Sequence, residues 1–195
     1  MVLRTHACGA ENDIQSTMKY ETIEQIYEGN KKIRERLKEV LSPLSEHQIS
    51  TLPEDEKWTV AQIVEHISMV DEGAMKICAK LLKKAEAAGT ISDGKVSISE
   101  NFLQKGKEIA RMKVNAPEFV QPTGAKSIDE SLATLDQTTE QLEQLRSLFE
   151  SVDGTDLKFP HPFFGDISAQ EWLSLKGGHE MRHIKQIENL LAKIN

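Results

Sequence analysis

Apolar residues recur three or four positions apart along most of the chain, with charged residues between them, and this spacing is typical of amphipathic helices. In the first half, the pattern predicts a helix over residues 17–44 and a second helix over residues 59–88. Pro43 and Pro53 mark the connection between the two, because proline disrupts the interior of a helix. Gly89 is a natural stop for the second helix.

Two further helices begin with the same signal in the second half of the chain. Ser127 is followed by Glu130, and Ser168 by Glu171, and both pairs match the capping box that opens many helices. The fourth helix is expected to run to the C-terminus. The buried face of the third helix is predicted from leucines that recur along it: Leu132, Leu135, Leu142, Leu145 and Leu148.

Two stretches lack a clear helical pattern. Residues 90–126 are a long excursion, in which residues 99–112 fit a short helix and residues 116–124 fit a loop. Long excursions inside compact domains often serve function, so this one is a candidate cover for a site. Residues 153–167 are rich in proline and glycine and are predicted to be a connection.

Four long amphipathic helices predict an all-α fold, a four-helix bundle. A chain of 195 residues suits one domain with a sizeable core, which we place at residues 17–195. Residues 1–16 have no helical pattern and are predicted to be a flexible N-terminal arm.

Composition and charge narrow the class of protein. The chain has 31 acidic and 24 basic residues, a net charge of −7, and this argues against nucleic acid as a partner because phosphate binding needs clustered lysine and arginine. No apolar run approaches the roughly 20 residues of a membrane span, so no membrane partner is expected. The two cysteines, Cys8 and Cys78, do not predict a disulfide framework, and the expected compartment is the cytoplasm.

The most specific chemical feature is a pair of histidines, His179 and His183, on the predicted last helix. A separation of four positions places both imidazoles on one helix face, about 6 Å apart along the axis, within reach of one divalent metal ion. Apolar residues share this face, so the pair is predicted to point into the bundle. The alternative is two core histidines with separate hydrogen bonds.

The same five residues satisfy the H-E-x-x-H pattern of zinc proteases, an assignment that we reject. Residues 184–195 leave no room for the usual downstream glutamate ligand. Gln186 also stands where the metzincin extension of the pattern requires glycine. A di-iron carboxylate centre needs two E-x-x-H motifs, and Glu180 with His183 supplies only one.

The third ligand is predicted to be His66 on the second helix. It lies beside the apolar positions Ile63, Ile67 and Val70, so its side chain reaches the interior or the margin of the bundle. Three histidines with positions left open for water or substrate are the arrangement of catalytic metal sites. The alternative for His66 is a boundary histidine that binds no metal. His6 and His47 are predicted to be solvated.

Two motifs resemble those of the DinB-like superfamily, also called YfiT-like: WTVAQIVEH over residues 58–66, and HPFFGDISAQEW over residues 161–172, followed by His179 and His183. The resemblance implies a four-helix bundle in which His66, His179 and His183 bind a divalent ion, commonly nickel or zinc. The segment 90–126 is longer than the connection usual in that family.

What the resemblance implies for function is a metal-dependent enzyme that acts on a small-molecule substrate. Family members include hydrolases and transferases that use a low-molecular-weight thiol such as bacillithiol or mycothiol. The alternative is a non-catalytic, stress-related binding module with a structural or vestigial metal site, which a fourth strong ligand would favour. A homodimer is compatible with both hypotheses.

Five further residues in or near the motifs are candidates for supporting roles. Glu180 is the candidate catalytic base, with a solvated surface acid as the alternative, because neighbouring helix residues point about 100° apart. Arg182 is predicted either to hold a substrate carboxylate or to pair with an acid across the bundle. His161 either hydrogen-bonds near the site or caps its own turn. Trp58 and Trp172 are expected to anchor the core at helix starts, with a ligand platform as the alternative.

Overall fold

The computed structural model describes residues 20–112 and 114–194, so the predicted arm at residues 1–16, with His6 and Cys8, lies outside the described residues. The elements in chain order are α1 (Ile23–Leu41), α2 (Glu46–Ser50), α3 (Val60–Ala88), α4 (Glu100–Ala110), a 3-10 turn (Glu118–Val120), α5 (Ile128–Gln144), α6 (Arg146–Ser151), β1 (Lys158–His161), β2 (Gly165–Ser168) and α7 (Ala169–Ile194).

Helices α1, α3, α5 and α7 form a four-helix bundle, which confirms the predicted fold. α3 packs against both α5 and α7, and α1 packs against α7. Side-chain contacts join α1 to α5, because Tyr27 donates from its hydroxyl to the Leu142 carbonyl at 2.6 Å and Lys38 pairs with Asp136 at 2.7 Å. None of the described helices combines the length and the apolar character that a membrane crossing requires.

Capping boxes begin all four bundle helices. The predicted boxes at Ser127 and Ser168 both form: the serine hydroxyl accepts from the backbone N–H three residues on, and the glutamate at that position accepts from the serine N–H. In α1 the box at Thr22 begins the helix at Ile23, later than expected, and the helix ends before Pro43. The third predicted helix is also shorter than expected, because the chain turns at Leu145 between α5 and α6.

Where a connection is predicted over residues 153–167, the chain forms an antiparallel hairpin over residues 158–168, in which Phe159 pairs with Ile167. The prediction was wrong because it counted the prolines as evidence against a strand. In a two-stranded ribbon both strands are edge strands, where proline is tolerated. Nδ1 of His161 accepts from the backbone N–H of Phe163 at 3.1 Å and of Phe164 at 3.3 Å. His161 therefore caps the hairpin turn, which is one of its two predicted roles.

A layer of buried charged side chains divides the bundle core into two apolar halves. On α3, one half ends at Ile67 and the other begins at Ala74, and Asp71 lies fully buried between them. The apolar halves of α7 are likewise separated by buried charged residues, and a buried arginine of α1 completes the layer. We call this set the charged layer: Arg34, Asp71, Lys176 and Glu180.

α1 and α7 approach closely at Gly177. A Cβ atom at this position would overlap Oδ1 of Asn30 and lie 3.2 Å from Cδ1 of Ile33. Asn30 is not free to move aside, because its Nδ2 donates to the Leu173 carbonyl at 3.0 Å. The absence of a side chain at Gly177 therefore sets the spacing of the two helices.

We expect Gly177→Ala to lower the free energy of unfolding by about 1–3 kcal/mol, because overpacking forces the two helices apart. Gly178→Ala is the matched control, since Gly178 is exposed and an added Cβ there meets no atom within 4 Å. The control should be neutral or stabilising by up to about 1 kcal/mol, the difference in helix propensity. Urea unfolding of both variants measures the effect, and equal stabilities would contradict the prediction.

Candidate metal centre

Three histidines meet where α3 packs against α7: His66, His179 and His183. Nε2 of His179 lies 3.2 Å from Nε2 of His66 and 3.1 Å from Nε2 of His183. Two nitrogens on one tetrahedral ion, with bonds of about 2.0 Å, lie about 3.3 Å apart. The structure thus brings together all three residues predicted as ligands, and the two separations from His179 suit a single ion. His47 is exposed, as expected.

Hydrogen bonds on the far side of two of the rings direct their lone pairs inward. Nδ1 of His66 lies 2.7 Å from the Val120 carbonyl oxygen, and Nδ1 of His183 lies 2.8 Å from Oε1 of Gln186. Both oxygens only accept, so each Nδ1 carries the proton and each Nε2 presents a lone pair to the centre. Nδ1 of His179 is buried and has no hydrogen-bond partner among the described residues, so no contact fixes its tautomer.

Burial keeps the three imidazoles neutral. It is the main cause that lowers the pKa of His66, and it lowers the pKa of His179 well below the ordinary value, with added repulsion from His183 and His66. The pKa of His183 falls to about 3, again mainly through burial. Neutral imidazole is the form that binds a metal ion, so the group suits metal binding at neutral pH.

Trp58 lies at the centre rather than serving only as a core anchor. Its ring packs on the ring of His66, with centroids 4.9 Å apart, and it is half-buried. This contact helps to fix the plane of the His66 imidazole. Trp172, by contrast, is buried in the apolar half of the core beside Leu173, as expected of an anchor.

The segment 90–126 is fastened to α7 by Arg182. This guanidinium donates to the carbonyl of Ile109 at 2.9 Å and to that of Met112 at 2.7 Å, at the end of α4. A cation is favourable there, because helix C-termini carry partial negative charge. Among the described residues its hydrogen-bond partners are backbone carbonyls, so the predicted pairing with an acid across the bundle is not formed, and the other predicted role, holding a substrate carboxylate, stays a prediction.

The same segment is fastened to α3 by Glu65, which is buried. Its carboxylate accepts from the backbone N–H and the hydroxyl of Thr123 and from the N–H of Gly124, at 2.7 to 3.1 Å. Glu65 and Arg182 each directly precede a histidine of the centre in sequence. Because neighbouring helix residues point about 100° apart, each contacts the segment while the histidine beside it faces the centre. With Val120 bonded to His66, the excursion reaches the site, as expected of a cover.

Glu180 is fully buried, so the alternative of a solvated surface acid was wrong. Its Oε1 lies 2.6 Å from Nε of Arg34, and its Oε2 lies 2.9 Å from Nη2 of Arg34 and 3.5 Å from Nζ of Lys176. Cations therefore hold both oxygens. No contact tests the role of Glu180 as a general base, which stays a prediction.

Comparison with known proteins gives a consistent family and fold. The profile of the DinB superfamily matches residues 30–187, which include all three histidines. YuaE, an uncharacterized protein of Bacillus subtilis (strain 168), is 24% identical over 155 residues, which cover 79% of this chain and 90% of that protein. The crystal structure of TT2238, a four-helix bundle protein, is similar in fold, with a TM-score of 0.56 and 21% identity over 86% of this chain and 98% of that chain.

We expect the metal-free protein to lose stability in acid partly through His183. Its pKa rises from about 3 in the folded state to 6.5 in the unfolded chain, so the unfolded state binds more protons between these values. The free energy of unfolding should therefore fall as the pH drops from about 6.5 to about 4, by at most about 1.4 kcal/mol per pH unit from this group. His183→Gln should reduce that slope in urea unfolding with a chelator present. His47→Gln, at an exposed position, should keep the wild-type slope, and identical slopes in all three proteins would contradict the prediction.

Proposed function

This chain belongs to the DinB superfamily, and from that premise we propose that it is a metal-dependent enzyme whose divalent ion, nickel or zinc, is held by His66, His179 and His183. The observation that carries the proposal is the convergence of one nitrogen from each ring, all within 4.8 Å of one another. Imidazole nitrogens suit first-row divalent ions, and the two outer hydrogen bonds orient the rings as in known metal sites.

Three protein ligands favour a catalytic centre over a structural one, because structural sites close all four positions. Within the described residues, this group contains no fourth histidine, cysteine or carboxylate. With three neutral ligands, a bound divalent ion would lower the pKa of a thiol or a water molecule at its open position. The buried protein groups around the histidines have a lower effective dielectric constant than water, which strengthens this electrostatic effect.

Transfer of a low-molecular-weight thiol to a small molecule is the reaction that the surroundings support best. In such a transfer the thiol loses its proton to solvent, its sulfur forms a bond to the substrate carbon, and the leaving group departs with its electron pair. Hydrolysis, the second candidate, gains most from a positioned general base. The two acids next to the histidines in sequence are engaged elsewhere, Glu180 with Arg34 and Glu65 with Thr123.

The first prediction concerns metal content. Protein purified without an affinity tag should carry about one nickel or zinc ion per chain by mass spectrometry, since three neutral imidazoles converge. The double variant His179→Ala/His183→Ala should carry none, and His66→Ala should carry much less than the wild type. His47→Ala is the control and should keep its metal. Full metal content in each of the single variants His66→Ala, His179→Ala and His183→Ala would contradict the assignment of these histidines as ligands.

The second prediction concerns the open position. Protein loaded with Co²⁺ should change its visible absorption when 2-mercaptoethanol is added, because a thiol that enters the coordination sphere alters the ligand field. Ethanol at the same concentration serves as the control and should leave the spectrum unchanged. A spectrum that no thiol alters would indicate a closed sphere and favour the non-catalytic binding module.

A further inference from the structure

The charged layer joins all four bundle helices through one guanidinium. Nη2 of Arg34 lies 2.7 Å from Oδ2 of Asp71 on α3, and Nε lies 2.6 Å from Oε1 of Glu180 on α7. Its Nη1 donates to the Leu135 carbonyl on α5 at 3.0 Å. Lys176 adds a second cation, 3.0 Å from Asp71. Two basic and two acidic side chains are thus paired almost entirely out of contact with water.

This layer lies on the same two helices as the candidate metal centre. On α3, Asp71 follows His66 by five positions, about 7.5 Å along the helix axis. On α7, Lys176 precedes His179 by less than one turn, and Glu180 follows His179 directly. The contact of Asp71 with Lys176 therefore lies on the same α3–α7 interface as the contact of the histidines, less than two helical turns away.

Stability alone does not account for four buried charges. Desolvation offsets much of the attraction within a buried ion pair, and apolar side chains of similar volume often stabilise a core as well or better. What a buried polar layer adds is specificity, since apolar side chains can pack in more than one register whereas the charges have one arrangement of partners. A slip of α7 by one turn, about 5.4 Å, would separate both pairs that α7 makes with other helices, Arg34–Glu180 and Lys176–Asp71.

We propose that the charged layer is a positioning device for the metal centre: it fixes the register of α7 against α3, so that Nε2 of His66 meets those of His179 and His183 before any ion binds. The inference rests on the proposed metal site. Arg34 is the central positioning residue, because its guanidinium bonds Glu180 through two nitrogens and bonds Asp71 as well. Metal sites require ligands held to within about 0.5 Å, a tolerance that apolar packing alone does not guarantee.

The test replaces the central pair by apolar residues and measures zinc affinity by competition with a chromophoric chelator. Arg34→Met/Glu180→Met should bind zinc at least about tenfold more weakly than the wild type, the size of effect seen when residues that orient ligands are lost. With Co²⁺ at saturation, the variant should also show a changed visible spectrum, because its ligands no longer converge in one geometry. A purely stabilising role would leave that saturated spectrum unchanged.

A second arginine–glutamate pair provides the matched control. Arg36 and Glu188 also join α1 to α7, with Nη2 and Oε1 2.8 Å apart, but their side chains are 52% and 42% exposed. Arg36→Met/Glu188→Met should keep the wild-type affinity and spectrum. Equal losses in both double variants would overturn the inference, as would wild-type affinity and spectrum in Arg34→Met/Glu180→Met.

A milder variant keeps the test decisive if the buried double variant does not fold. Arg34→Lys retains the charge but lacks the two-pronged group, so it should fold and bind zinc several-fold more weakly, whereas wild-type affinity would overturn the inference. The wild type separates this inference from the proposed function. If the wild type binds no zinc, the proposed function fails and the inference falls with it; if it binds zinc and every charged-layer variant matches it, only the inference fails.

Discussion

The pairing of the Arg34 guanidinium with Glu180 and Asp71 is the constraint on which the rest of the bundle depends. A buried charge is tolerated only when its partners surround it, so this single group dictates where three other helices must lie. The apolar halves on either side of it then fill the remaining space. The close approach of α1 and α7 at Gly177 belongs to the same region, because Lys176 is its neighbour in sequence.

Helices α3 and α7 make two sets of contacts around the candidate metal centre, one between their histidines and one with the segment 90–126. From α3 and α7 the histidines point toward one another, while Glu65 and Arg182, their neighbours in sequence, hold the segment 90–126. The centre is thus built from the bundle on one side and enclosed by a loop-rich segment on the other. His66 belongs to both parts, since one of its nitrogens faces the other histidines and the other bonds to the backbone of that segment.

The helices and the three histidines could be predicted because each leaves a local signal. Capping boxes and apolar spacing depend on residues within a few positions of each other, and so does the pair at His179 and His183. The charged layer could not be predicted in the same way, because its partners are far apart in sequence and the charged residues of an amphipathic helix usually face solvent. A signal did exist: Arg34 falls on the same stripe of α1 as the buried Leu37 and Leu41. The hydrogen bond from His66 to the Val120 carbonyl leaves no such signal, because every residue type carries a backbone carbonyl.

The arrangement around Arg34 has a consequence for how the chain folds. Its partners lie 37 positions away at Asp71, 101 at Leu135 and 146 at Glu180. Any assembly that lacks α7 leaves the guanidinium without its two-pronged carboxylate, and a partly buried, poorly paired charge is costly. Assemblies in which α1 packs without α7 are therefore disfavoured relative to the complete bundle. A nascent chain emerging from the ribosome therefore cannot complete the charged layer until α7 has been synthesised.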